Sequence, residues 1–133
     1  MSRLSAARKQ RLIAMFGVIV GVLLTLIGTR YFLVPEGAAR TFGVPGRPTG
    51  YELHYIIGLR NVWLGLLAVA FALLREWRAL ALWFAIGTIV CFADAFIAAT
   101  STGRLPQVAF HTGCGLVFAG LAAGCWRMAA RPR

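Results

Sequence analysis

Four stretches of this chain stay apolar for the length of a membrane crossing. Leu12–Thr29 carries no charge, Tyr55–Leu74 carries one (Arg60), Ala79–Thr100 carries one (Asp94), and Val108–Trp126 carries none beyond a proton on His111. A spanning helix needs about 17–25 mostly apolar residues. The pattern therefore predicts an all-α fold: an integral membrane four-helix up-down bundle. The spans fall at about residues 12–34, 53–74, 79–101 and 107–126 by that length rule. They use most of residues 1–133 and leave one transmembrane domain with no soluble module. Short connections favour the up-down-up-down order.

Punctuation between the runs refines this picture. Pro35 marks the end of the first helix. In the long Pro35–Tyr51 connection, Glu36 and Arg40 have helical-pair spacing, Gly43 can cap a short helix, and Pro45 cannot readily continue it. The expectation is a short interfacial helix with Phe42 on its apolar side, then a Pro45–Gly50 turn segment. It serves either as a lid or as a surface connector. The Arg75–Arg78 link is so short that the second and third spans must be antiparallel neighbours. Gly103 suits the end of the third span, and Pro106 suits the first turn of the fourth. Gly17, Gly21 and Gly28 form a small-residue face on the first helix, and Gly120 and Gly124 another on the fourth. Such faces permit close helix approach, either within the bundle or across a homodimer seam.

Charge sets the expected orientation. The chain carries a formal net charge of +10, but 59% of its residues are hydrophobic and only 14% charged. Nine of the fourteen basic residues (Arg3, Arg8, Lys9, Arg11, Arg75, Arg78, Arg127, Arg131 and Arg133) fall on the side that holds both termini. The positive-inside rule then puts both termini in the cytoplasm of a cell that carries the protein in its inner membrane. The basic excess reads as topology and attraction to membrane lipid, not as a nucleic-acid surface. The first apolar run is longer than a secretory h-region of about 7–15 residues and lacks an A-x-A-like site, so it reads as an uncleaved helix. Cys91, Cys114 and Cys125 lie within spans, form no C-x-x-C, and read as packed free thiols.

Arg60, Asp94 and His111 are then the exceptions to explain. Ionisable residues in a span are costly and tend to be paired, inward-facing and functional. At 1.5 Å per residue, Arg60 lies about 9 Å, Asp94 about 10 Å and His111 about 6 Å inside the same side of the bundle. Thr25 and Thr29 reach that level, and Glu52, His54 and Asn61 lie near the entry of the second span. Three stripes of helical spacing accompany them: Gly87-Cys91-Asp94-Ala98-Ser101, His111-Cys114-Gly115-Phe118, and His54-Gly58-Asn61-Gly65. Arg60 sits beside the last stripe and reaches sideways by snorkelling. Pairing of Arg60 with Asp94 offsets the cost of burying each charge alone. His111 remains to satisfy a structural hydrogen bond, to carry a proton, or to contact a ligand. His54, His111, Glu52 and Asp94 lack the spacing that fixes two metal ligands on one helix, so neither a metal nor a cofactor is expected.

The ordered set Phe42-Gly43-Val44-Pro45, Gly58-Leu59-Arg60-Asn61 with Gly65, Asp94-Ala95 and His111 resembles an uncharacterised family of small four-helix membrane proteins, distantly DoxX-like. The resemblance covers most of Gly28–Ala130. It implies the four-helix fold and the polar cluster, and supplies no reaction. The family's usual Arg-Asp pair stands here as Arg60-Asn61, which leaves Asp94 as the main acid for Arg60.

Three functions compete. The first is binding of a small lipophilic or amphipathic molecule in an outer-leaflet polar pocket, or service as an accessory membrane subunit. Arg60, Asn61, His111, His54 and Glu52 would contact the ligand. The second is a cofactor-independent membrane enzyme, an isomerase, cyclase or oxygenase, with His111 as base, Asp94 as its partner and Arg60 stabilising an anion. The third is a small proton-coupled exporter with Asp94 as carrier. The first is preferred.

Overall fold

A computed structural model describes residues 2–44 and 50–130, with side chains from Ala7 onward. The chain is all-helical: α1 (Ser2–Leu33), α2 (Pro35–Phe42), α3 (Glu52–Leu74), α4 (Trp77–Ser101) and α5 (Leu105–Ala129). The four long helices are apolar enough to span a membrane, and the protein is a multi-pass membrane protein. Its surface is apolar accordingly: Ile89 and Phe96 are each 70% exposed, as lipid-facing side chains must be. One end of the bundle carries both chain termini (the terminal end). The other carries α2 (the loop end).

α1 begins ten residues before the apolar run. Its first turns contain Ala, Arg, Lys, Gln and Leu, all good helix formers, and no Gly or Pro interrupts them. At 32 residues it is about 48 Å long, beyond the ~30 Å hydrocarbon core, so its basic turns project from the membrane. α2 forms where the spacing predicts it. Pro35 occupies its first turn, Glu36 and Arg40 form an ion pair at 3.8 Å, and Gly43 closes it in the left-handed region (φ 107°) with its N–H donating to the Ala39 carbonyl. Gly103 ends α4 in the same way (φ 63°), and Pro106 lies in the first turn of α5. The Pro45–Gly50 turn falls, as far as Thr49, outside the described residues.

The helices associate as two antiparallel pairs, α1 with α3 and α4 with α5. The α1–α3 contact is backbone against backbone. A Cβ added to Gly21 would lie 2.6 Å from the Gly65 carbonyl oxygen, and one on Gly28 would lie 2.7 Å from that of Gly58. The approach is reciprocal: a Cβ on Gly65 would meet the Gly21 oxygen at 2.5 Å and the Thr25 hydroxyl. The Gly17-Gly21-Gly28 face is thus occupied by α3 of the same chain. The α4–α5 contact instead seats aromatic rings on glycines, Phe118 over Gly87 and Phe92 over Gly115. On the remaining small face, Gly124 meets Ile13 of α1, but Gly120 faces open space.

The short Arg75–Glu76 link, with Arg75 in the left-handed region (φ 59°), makes α3 and α4 antiparallel, yet they touch little. Chain proximity does not make them close partners, because α3 gives its glycines to α1, and α4 and α5 seat rings on each other's glycines. The two pairs meet at the terminal end in an apolar cluster of Ala72, Leu80, Ala81, Phe84 and Cys125, with Ile13, Phe118 and Leu121 packed round it.

Candidate functional site

At the loop end, α2 ties the two pairs together. It is anchored to α1 by an Arg30–Thr41 hydrogen bond (3.4 Å) and to the start of α3 by Tyr51, whose hydroxyl donates to Glu36 (2.9 Å). Its C-terminus crosses to the other pair. The Thr102 hydroxyl on the α4 side donates to the Gly43 carbonyl (2.9 Å), and His111 of α5 bonds the Phe42 carbonyl through Nε2 (3.1 Å). Thr102→Val keeps the shape and removes the first bond, which should cost about 1 kcal/mol. Thermal unfolding of the two proteins in one detergent measures the difference.

His111 is the buried polar residue of the described core, 9% exposed. Its ring lies 4.7 Å from that of Phe42 and 5.5 Å from that of Phe110. A carbonyl oxygen can only accept, so Nε2 carries the hydrogen in either protonation state. In the neutral ring, Nδ1 is then the atom free to take a proton. The Phe42-Gly43 half of the first motif and the His111 motif are thus one structure, joined over 69 residues of chain.

Beneath this roof each spanning helix contributes a polar side chain to one electrostatic cluster: Tyr31 from α1, Arg60 from α3, Asp94 from α4 and His111 from α5. His111 and Arg60 both act electrostatically on Asp94. Tyr31, 5% exposed, interacts with Asp94, Arg60 and Arg30. Asp94 is half-buried and Arg60 exposed. The pairing expected of Arg60 and Asp94 is not a contact: the Glu36–Arg40 bridge is the ion pair among the described residues, and Arg60 acts on Asp94 from longer range. Arg60 lies off the Gly58-Asn61-Gly65 stripe, and that stripe is turned against α1, so the guanidinium projects from the edge of its helix pair.

The remaining sequence candidates lie higher or to the side. His54 sits between the rings of Tyr31 (6.1 Å) and Tyr51 (5.8 Å), with Nδ1 buried and without a hydrogen-bond partner. Asn61 is half-buried, and Glu52 is exposed at the first turn of α3, away from the cluster. An open groove of about 340 Å³ at the loop end is lined by Val34, Pro35, Glu36, Gly37, Arg40 and Tyr51; none of Arg60, Asp94 and His111 lines it. Among the described residues no three His, Cys, Asp or Glu side chains group as metal ligands. Cys91 and Cys114 are half-buried free thiols on facing helices, and Cys125 belongs to the apolar core.

Tyr31 is the member that sequence reading missed. The signal was available, because Tyr31 continues the Gly17-Gly21-Gly28 face by three residues and so points with it towards α3. The cluster as a whole offers a guanidinium, a carboxyl and an imidazole, with the phenol of Tyr31 above them near His54. That set can hold an anionic or hydrogen-bonding head group, or relay a proton among its members.

The sequence profile of a family described as a domain of unknown function (DUF4267) matches residues 21–125. No curated protein and no solved structure matches the chain, so the distant DoxX-like likeness is not confirmed.

Proposed function

The chain belongs to that family, and we propose that it binds an amphipathic molecule whose anionic head sits at Arg60 and whose apolar tail lies among the helices. The observation that carries this reading is Arg60 itself. Counted from the start of α3 at Glu52 it lies about 12 Å along the helix, is exposed, and has no ion pair or hydrogen bond among the described residues. An Arg so placed costs roughly 2.5–3.5 kcal/mol on insertion scales unless something satisfies it. Asp94 and Tyr31 act on it electrostatically, but neither forms an ion pair with it. A carboxylate or phosphate head group fits the planar, bidentate guanidinium. Tyr31 adds hydrogen-bonding capacity within reach of its field, His111 does so on the far side of Asp94, and Asp94 selects for a head that also donates. The basic excess at the terminal end supports an inner-membrane protein with its loop end, and so this site, in the outer leaflet.

The test is mass spectrometry of lipophilic molecules that co-purify with the protein in a mild detergent. Arg60→Ala should lower retention of the bound species about 10- to 100-fold, the loss of one charge-assisted contact. Helicity and elution volume should stay unchanged. Equal retention by wild type and Arg60→Ala would refute Arg60 as the head-group contact.

A further inference from the structure

A second feature lies at the opposite end of the bundle. The first turn of α4 and the last turn of α5 flank a groove of about 250 Å³ lined by Arg78, Trp126, Ala129 and Ala130. We infer that this groove seats an anionic phospholipid from the leaflet at the terminal end, its phosphodiester at Arg78 and its glycerol region against Trp126.

Three independent properties select that occupant. The first is charge. Arg78 is exposed and has no acidic partner among the described residues. Arg8, Lys9, Arg11, Arg75 and Arg127 share its end of the bundle, against Glu76 alone. The second is the indole. Trp126 is 60% exposed at a helix end, the level at which an amphipathic ring meets lipid head groups. The third is the track below. Ala123 and Ala119, one and two turns deeper than Trp126 on the same face, are both exposed and small. Leu82, one turn deeper than Arg78 on α4, is 55% exposed. An acyl chain can lie along this shallow apolar strip, whereas a free phosphate has no use for it. Arg127, although adjacent in sequence, does not line the groove, which separates a seated lipid from diffuse attraction to a basic surface.

Native mass spectrometry of the full chain, released from micelles holding equal amounts of dioleoylphosphatidylglycerol and dioleoylphosphatidylcholine, tests the inference. Wild type should retain the anionic lipid in preference. Arg78→Gln should lower its occupancy about fivefold, the effect of one basic residue at a membrane surface. Arg127→Gln should leave occupancy within about twofold of wild type. Equal retention of the two lipids overturns the inference. So does an equal loss in Arg78→Gln and Arg127→Gln, which would mean a diffuse basic surface. A dimer mass that Trp126→Ala abolishes would show a second copy covering the groove, and would overturn it too.

Discussion

Gly65→Leu should unfold the bundle, whereas Gly120→Leu should leave its stability within about 0.5 kcal/mol of wild type. Both replace a helical glycine in a span by the same side chain, and hydropathy does not distinguish them. The difference lies in what each glycine faces. A Cβ at Gly65 would fall 2.5 Å from the Gly21 oxygen, 2.8 Å from the Thr25 nitrogen, and against the Thr25 hydroxyl. Backbone cannot swing aside, so α1 and α3 must separate. Small overpacking of a core costs about 1–3 kcal/mol, and this substitution adds a whole side chain against a neighbouring main chain, so the cost should exceed ~3 kcal/mol. Gly120 has nothing within 4 Å of its added Cβ. Unfolding midpoints in a denaturing-detergent titration compare the two. Equal midpoints would mean that the α1–α3 contact contributes little to the fold.

The second large effect belongs to Gly43. Gly43→Val should cost about 2–4 kcal/mol, combining left-handed strain at a β-branched residue with overpacking. Its φ is 107°, and an added Cβ would lie 3.1 Å from that of Ala98 and 3.2 Å from that of Gln107. Gly103→Ala provides the control: it also has positive φ (63°), but the nearest atom to its Cβ is 3.6 Å away, so strain alone applies, about 1 kcal/mol. The consequence for Gly43→Val is local and specific. When the C-terminus of α2 lifts, the Thr102–Gly43 and His111–Phe42 hydrogen bonds go with it, and the polar cluster loses its roof. Hydrogen exchange should therefore rise along α2, and retention of the co-purified amphipathic molecule should fall, while the α1–α3 segment stays protected. If exchange rises uniformly instead, α2 is not a separate roof but part of the cooperative core.

Much of the fold is legible residue by residue. The four spans follow from the length of apolar runs between charges. α2 follows from Pro35, the Glu36–Arg40 spacing and Gly43, each of which acts within a few residues. The inward stripes of α4 and α5 are also legible, because each combines small residues at helical spacing with an ionisable side chain that is costly against lipid. The site is legible only in part. Asp94 and His111 stand in the cluster as the spacing suggests. The expected close pairing of Arg60 with Asp94 does not form, because adjacency in depth says nothing about distance across the bundle. Tyr31 went unnoticed because a Tyr near a helix end has an ordinary membrane-interface explanation. The role of the Phe42 carbonyl was invisible in principle: every residue has such a group, and only the fold decides which one meets His111.

Depth and partnership thus have different sources. Depth is a one-dimensional quantity, fixed by rise per residue and by the cost of polar groups in hydrocarbon, so the sequence by itself determined the spans, the short helix at the loop end, and the shared level of Arg60, Asp94 and His111. Partnership depends on surface fit. In a bilayer, lipid and Leu are equally apolar, so hydrophobicity gives a helix no preferred neighbour, and close packing of backbones or rings must choose one. Only the tertiary structure decided that Gly21 meets Gly65, that α4 takes α5 despite its tight link to α3, that His111 is held by a carbonyl of α2, and that Arg60 is left with its guanidinium exposed.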